Sequence, residues 1–112
     1  MAPITTIVHF EVPADNIDRF LALWQETING EMTKQPGLIE GIFHRGIDPD
    51  GPYQFINVAR WQSPEALEAG LRATAEALQR GGIEVAGSLR NLGVKVSQNN
   101  YVEEVRYKAT VG

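Results

Sequence analysis

The sequence predicts an α+β fold with the element order β-α-β-β-α-β. Three observations carry that reading. Two runs of strand length alternate in period two, two further segments hold apolar residues at helical spacing, and a dense turn separates the central strands.

Ile4 to Val12 is rich in β-branched residues and reads as the first strand. One face carries Ile4, Thr6, Val8, Phe10 and Val12, the other Thr5, Ile7, His9 and Glu11. Pro13-Ala14 turns the chain, and Asp15 or Asn16 offers a cap for a helix whose apolar face is Ile17, Phe20, Leu21, Trp24, Ile28 and Met32. Lys34 suits its last turn and Pro36-Gly37 stops it. Leu38 to Ile47 reads as the second strand. Asp48-Pro49-Asp50-Gly51-Pro52 then predicts a hairpin into a third strand, Tyr53 to Trp61. Ser63-Pro64-Glu65 supplies a capping hydroxyl, a proline at the first helical position and an acid near the positive helix end. Leu67, Leu71, Ala75 and Leu78 form the expected buried stripe of this second helix, and Gly81-Gly82 ends it. Val85, Ala86, Leu89 and Leu92 suit a short extra helix, and Tyr101 to Thr110 is expected to close the fold as the last strand.

This order is the ferredoxin-like split βαβ arrangement, a four-stranded antiparallel sheet with both helices on one face and the third strand between the first and second. Neither face of that third strand is polar. Phe55, Ala59 and Trp61 lie on one side, Ile56 and Val58 on the other. A central strand apolar on both faces needs cover on both, and a second copy of the sheet is the simplest cover for the face the helices leave bare. A homodimer is therefore expected.

At 112 residues, one domain spanning 1–112 is expected. With 43% hydrophobic and 21% charged residues and a net charge of -4, the chain has no basic footprint for nucleic acid or an anionic membrane. The sequence contains no cysteine, which removes disulfides, thiolate metal sites and a cysteine nucleophile. The first basic side chain is Arg19, and no apolar run approaches the roughly 20 residues that cross a bilayer, so a cytoplasmic location is expected.

Asn57 is the most informative residue, an amide between Phe55 and Ala59 on one face of a central strand. A buried amide must be hydrogen-bonded, either to neighbouring backbone or water as a structural group, or to a ligand oxygen. Trp61 lies two pleats along the same face and can be core or the wall of an aromatic pocket. Trp24 can close that pocket or simply belong to its helix stripe. His9 and His44, with Glu11 or Glu40, invite a metal reading. If the third strand separates theirs, however, the two backbones stand about 10 Å apart, against metal–nitrogen bonds near 2 Å, so no metal site is expected. A glycine-rich phosphate loop, a serine nucleophile elbow and an HExxH motif are all missing from the sequence.

Phe55-Ile56-Asn57-Val58-Ala59-Arg60-Trp61-Gln62-Ser63-Pro64-Glu65-Ala66 resembles the antibiotic biosynthesis monooxygenase family. Phe20-Leu21-Ala22-Leu23-Trp24, Gln35-Pro36-Gly37-Leu38 and Phe43-His44-Arg45 support the likeness, which runs from about Ile4 to Leu78. The resemblance implies a dimeric α+β barrel with a pocket in each subunit and cofactor-free oxidation of a small aromatic, anthrone-like or quinol substrate by molecular oxygen. It makes Asn57 and Trp61 the expected catalytic pair. Phe55, Trp24, His44, Leu67 and Arg72 are the expected substrate contacts. Leu67 stands where anthrone oxygenases of this kind carry a tyrosine. The haem-degrading branch fits worse, since Gly70 stands near its helical tryptophan and no histidine follows His44. A non-catalytic binding protein for an aromatic metabolite, or a lyase or isomerase working by proton transfer alone, would use the same pocket.

Overall fold

A computed structural model of the chain describes residues 3–111. Four strands, β1 (Ile4–Glu11), β2 (Leu38–Arg45), β3 (Phe55–Trp61) and β4 (Lys95–Tyr101), form an antiparallel sheet in the order β2-β3-β1-β4. The expected ferredoxin-like α+β fold is therefore what the chain adopts, with β3 between β1 and β2.

The register fixes which side chains share a face. Across β2, β3 and β1 the rows Leu38–Trp61–Ile4, Gly41–Ala59–Thr6, Phe43–Asn57–Val8 and Arg45–Phe55–Phe10 point to the helices. The alternate rows Glu40–Arg60–Thr5, Ile42–Val58–Ile7 and His44–Ile56–His9 point away from them. A bulge between Leu38 and Glu40 resets the alternation of β2.

The first helix is less regular than its pattern suggests. A 3-10 turn (Ala14–Asn16) leads into α1 (Ile17–Leu23), a π-helical turn (Trp24–Ile28) and α2 (Asn29–Met32). Phe20, Trp24, Ile28 and Met32 are all buried, at a strict four-residue spacing. In an α-helix of 3.6 residues per turn, each such step overshoots by about 40°. A single wider turn brings the later residues back onto the sheet, the usual form in which π-helix occurs. Within it the Asn29 N–H reaches back to the Trp24 carbonyl, and the Thr27 hydroxyl donates to the Leu23 carbonyl. Neither Asp15 nor Asn16 caps the helix through its side chain. The Asn16 amide instead donates to the Leu92 carbonyl at 2.8 Å, pinning the turn to the far end of the chain.

The second long helix, α3 (Pro64–Arg80), starts as expected, with the Ser63 hydroxyl accepting from the Ala66 N–H at 3.0 Å. Its buried face differs from the apolar stripe. Leu67, Gly70, Thr74 and Leu78 are buried, Leu71 is half-buried and Ala75 is exposed. The reason is Trp61, whose ring lies so close beneath Gly70 that a Cβ there would sit 2.6 Å from Cη2. That contact rotates the helix to bring its glycine and threonine inward. Gly82, at φ +88°, then ends α3 through the Ile83 N–H bond to the Leu78 carbonyl at 2.9 Å. The short extra helix is α4 (Val85–Asn91), capped by Glu84.

The last strand is not Tyr101 to Thr110. It is β4, Lys95–Tyr101, paired to β1 along seven residues from Glu11↔Lys95 to Thr5↔Tyr101. Residues 102–111 continue beyond it exposed and in no regular element. The core lies between the sheet and the helices, with Trp61, Phe20, Phe55 and Val12 the largest fully buried side chains.

Candidate active site

The helix-facing side of the sheet is not filled evenly. At the Phe10–Phe55 end it packs solidly. Phe20 meets Phe10 and Phe55 at ring separations of 5.0 and 5.4 Å, Phe43 stacks on Phe55 at 5.5 Å, and Trp24 stacks on Phe43 at 4.7 Å. Toward the middle, a cavity of about 170 Å³ opens between sheet and helices. Its floor is Thr6, Val8 and Phe10 of β1 with Asn57, Ala59 and Trp61 of β3. Trp24, Ile28 and Met32 wall one side. Leu67, Leu71, Thr74 and Ala75 of α3 form the roof, and Val85 and Leu89 of α4 with Gln98 of β4 close the other side. A hollow of about 100 Å³ beneath Phe43 and Leu38 shares Trp24, Met32, Asn57 and Ala59 with it. A wider groove of about 560 Å³ along α4 shares Ala75, Val85 and Leu89.

Asn57 and Trp61 are thus brought together on one cavity floor, as their spacing on a strand demands. Asn57 is buried, yet among the described residues its side-chain amide makes no hydrogen bond. A structural amide of that burial would have a backbone or side-chain partner. Free donors facing an apolar cavity are what a ligand oxygen requires. Trp61 is fully buried at the cavity floor with its Cζ3–Cη2 edge under Gly70, so the indole is held between sheet and helix backbone.

The expected substrate contacts divide. Trp24 and Leu67 line the cavity. Phe55 does not; it supports the aromatic cluster behind it and carries the Arg45 guanidinium 5.3 Å from its ring centre. His44 lies on the opposite face of the sheet, paired with Ile56 and exposed. His9 pairs with the same Ile56 from the other side, two strand spacings from His44, and its ring lies 4.7 Å from that of Tyr53. Arg72 is exposed on α3. Among the described residues no group of three or more His, Asp or Glu side chains is placed to hold a metal ion.

Thr6, Thr74 and Gln98 line the cavity without having been singled out in the sequence. The Thr6 hydroxyl is satisfied, donating to the Asn100 amide oxygen at 2.7 Å. The Thr74 hydroxyl is buried and has no partner among the described residues. A sequence signal for Thr74 does exist: it continues the three- and four-residue spacing Leu67, Gly70, Thr74, Leu78. The side chains lining this cavity are all apolar or neutral amides and hydroxyls, so none of them carries a charge.

Residues 3–78 match the family model described as antibiotic biosynthesis monooxygenase. No curated protein matches the sequence. Among solved structures, a Shewanella loihica protein classed provisionally as a monooxygenase is 29% identical, with a TM-score of 0.74 over 95% of this chain and 97% of that one. SnoaB, a cofactor-independent oxygenase from Streptomyces nogalater, superposes with a TM-score of 0.71 at 19% identity, covering 95% and 97% of the two chains. A dimeric ferredoxin-like protein from an uncultured marine organism does so at 0.72 and 11% identity, covering 96% and 100%. The last two likenesses concern the fold.

Proposed function

The chain belongs to the antibiotic biosynthesis monooxygenase family, and from that premise we propose that it is a cofactor-independent monooxygenase of a small electron-rich aromatic, anthrone-like or quinol in type. The observation that carries the proposal is the unpartnered Asn57 amide facing an apolar cavity beside Trp61. In such chemistry the substrate supplies the electrons. An acidic C–H or phenol ionises, and the resulting anion reduces dioxygen. One oxygen atom forms a new bond to the ring carbon and the other leaves as water, so that an anthrone CH₂ becomes a quinone carbonyl. The protein's part is to hold the anion dry and stabilise its oxygen. The Asn57 N–H is the donor for that oxyanion, Trp24 stands in the wall beside the ring, and the buried Trp61 backs the floor. With no charged side chain in the walls, the proton leaves to water and the substrate's own acidity sets how readily it ionises.

The catalytic unit in this reading is a homodimer, and two features of the chain support it. The row Ile42–Val58–Ile7 lies in register across the sheet face without helices, with Ile42 57% exposed. Past β4, the run Val105, Tyr107, Ala109, Val111 alternates with Arg106, Lys108 and Thr110 in the period of a strand, yet among the described residues it belongs to no strand pair. A second copy supplies cover for the first and a sheet edge for the second.

A binding protein for an aromatic metabolite is the second reading, favoured by Leu67 at the tyrosine position and by the neutral walls. An oxygen electrode separates the two. The monooxygenase consumes dioxygen with an anthrone or quinol in the absence of any added cofactor; a binding protein leaves the uncatalysed rate unchanged or slows it. Turnover that proceeds equally without oxygen would replace both readings with a proton-transfer enzyme.

A further inference from the structure

We propose that the hollow beneath Leu38 and Phe43 is a site for dioxygen, which meets the aromatic substrate from the β2 side of Asn57. This deepens the functional reading above and rests on it for dioxygen as a reactant.

Placement is the first argument. Three spaces follow one another across the helix side of the sheet, whose strand order is β2-β3-β1-β4. The hollow lies over β2 and β3, the cavity over β3, β1 and β4, and the groove between β4 and the helices α3 and α4. Asn57 borders the first two spaces, and Ala75, Val85 and Leu89 border the last two. The groove, at about 560 Å³, is the widest of the three and the approach open to an aromatic ring system. Once seated over Asn57, that ring system blocks the way it came, so the second reactant needs an approach of its own. The hollow supplies it. Thr33 and Gly41 are exposed at its rim on the β2 edge, and its inner end is formed by the buried Trp24, Met32, Asn57 and Ala59.

The lining is the second argument. Trp24, Met32, Leu38, Phe43 and Ala59 make the hollow apolar, and no charged side chain borders it. Dioxygen is small, apolar and has no strong hydrogen bonds to lose, so it partitions into such a lining much as xenon enters apolar protein cavities. Water is held poorly there, because a buried water needs about two to four polar partners. The Thr33 hydroxyl already donates to the Gly30 carbonyl at 3.0 Å, and the inner end offers only the Asn57 amide. Met32, a flexible side chain that borders both spaces, is the part of the partition able to turn aside.

The backbone supplies the third argument. Gly41 and Ala59 stand opposite each other in register, and the space opens above these two small residues. A Cβ added to Gly41 would meet nothing closer than the Ala59 Cβ at 3.5 Å, and its φ is not positive, so neither packing nor conformation demands glycine. Glycine weakens a strand, and here it is explained by the room it leaves.

The test fills the hollow and detects dioxygen apart from turnover. Gly41→Leu places an apolar side chain in the space, and Gly41→Ala does so in smaller measure; the Cβ of each makes ordinary contact. In substrate-free protein equilibrated with dioxygen, paramagnetic broadening of the Met32 and Leu38 methyl resonances exceeds that of Val12, which is buried and borders none of the three spaces. Gly41→Leu removes that excess. In turnover with anthrone, Gly41→Leu lowers kcat/KM for dioxygen about tenfold, or roughly 1.4 kcal/mol, while KM for anthrone is unchanged. Gly41→Ala falls between. Broadening at Met32 and Leu38 no greater than at Val12 would overturn the proposal. So would a rise in KM for anthrone with the dioxygen dependence unchanged, which would give the hollow to the aromatic substrate. If the broadening appears and Gly41→Leu removes it, yet no anthrone or quinol drives dioxygen consumption, the monooxygenase reading fails and the dioxygen site stands.

Discussion

Gly70 offers a test of how the site is held that needs no ligand. Trp61 is fully buried, and its ring lies under Gly70 so closely that an added Cβ would sit 2.6 Å from Cη2 and closer still to Cζ3. Carbon atoms in contact ordinarily stand about 3.5–4.0 Å apart, so Gly70→Ala demands a shift on the order of 1 Å. The indole has nowhere to go on the sheet side, where Leu38 and Ile4 flank it in register. Overpacking of this kind costs about 1–3 kcal/mol, against a gain of up to about 1 kcal/mol for alanine over glycine within a helix. With the full offset Gly70→Ala should therefore lose up to about 2 kcal/mol, and the displaced indole should lower turnover with it. Gly30 in α2 is the control, because a Cβ there meets nothing within 4 Å. Gly30→Ala should gain about 0.5–1 kcal/mol. Urea denaturation of both variants beside the parent decides the matter. If Gly70→Ala is as stable as Gly30→Ala and as active as the parent, Trp61 is not clamped as described.

Asn57→Ala removes a group that has no protein partner, so its unfolding midpoint should stay level or rise, while turnover falls about a hundredfold or more. A normal rate in that variant would end the catalytic role of Asn57. His44→Ala and Arg72→Ala alter groups outside the cavity and should each change kcat/KM by less than about twofold; a large loss from either would require a site that includes the opposite sheet face or the outside of α3. Light scattering at micromolar concentration should give twice the chain mass of 12.4 kDa, and Val58→Asp should yield monomer. A monomeric parent would leave the Ile42–Val58–Ile7 row and the segment after β4 without their explanation.

The parts of the fold legible in the sequence are those whose burial is one-sided or strictly periodic. β1 and β3 alternate cleanly, and the Ser63-Pro64 start of α3 shows its capping chemistry on its face. β4 was hidden because Lys95–Tyr101 is polar and exposed on both faces; what makes it a strand is pairing with β1, a long-range partner that composition does not display. The apolar Val105 and Tyr107 drew the expected strand downstream instead. Asn57 and Trp61 were legible because both lie on β3, where two-residue steps keep a common face. The same rule places His44 outside: Phe43 faces the helices, so its neighbour cannot. Thr74 and Gly70 are not legible because a stripe traced through apolar residues passes over a glycine that admits an indole and a buried threonine in the cavity roof. Such close approach is a tertiary fact, and only the opposing side chain reveals it.

The central claim is that the cavity places one atom of dioxygen on an aromatic substrate with no cofactor. Turnover under ¹⁸O₂, followed by mass spectrometry of the product, tests it most directly. The account requires one labelled oxygen per product molecule, formed in step with oxygen consumption by the metal-free protein and lost from Asn57→Ala. Product oxygen drawn from water instead, or labelled product at the same rate with and without protein, would contradict it.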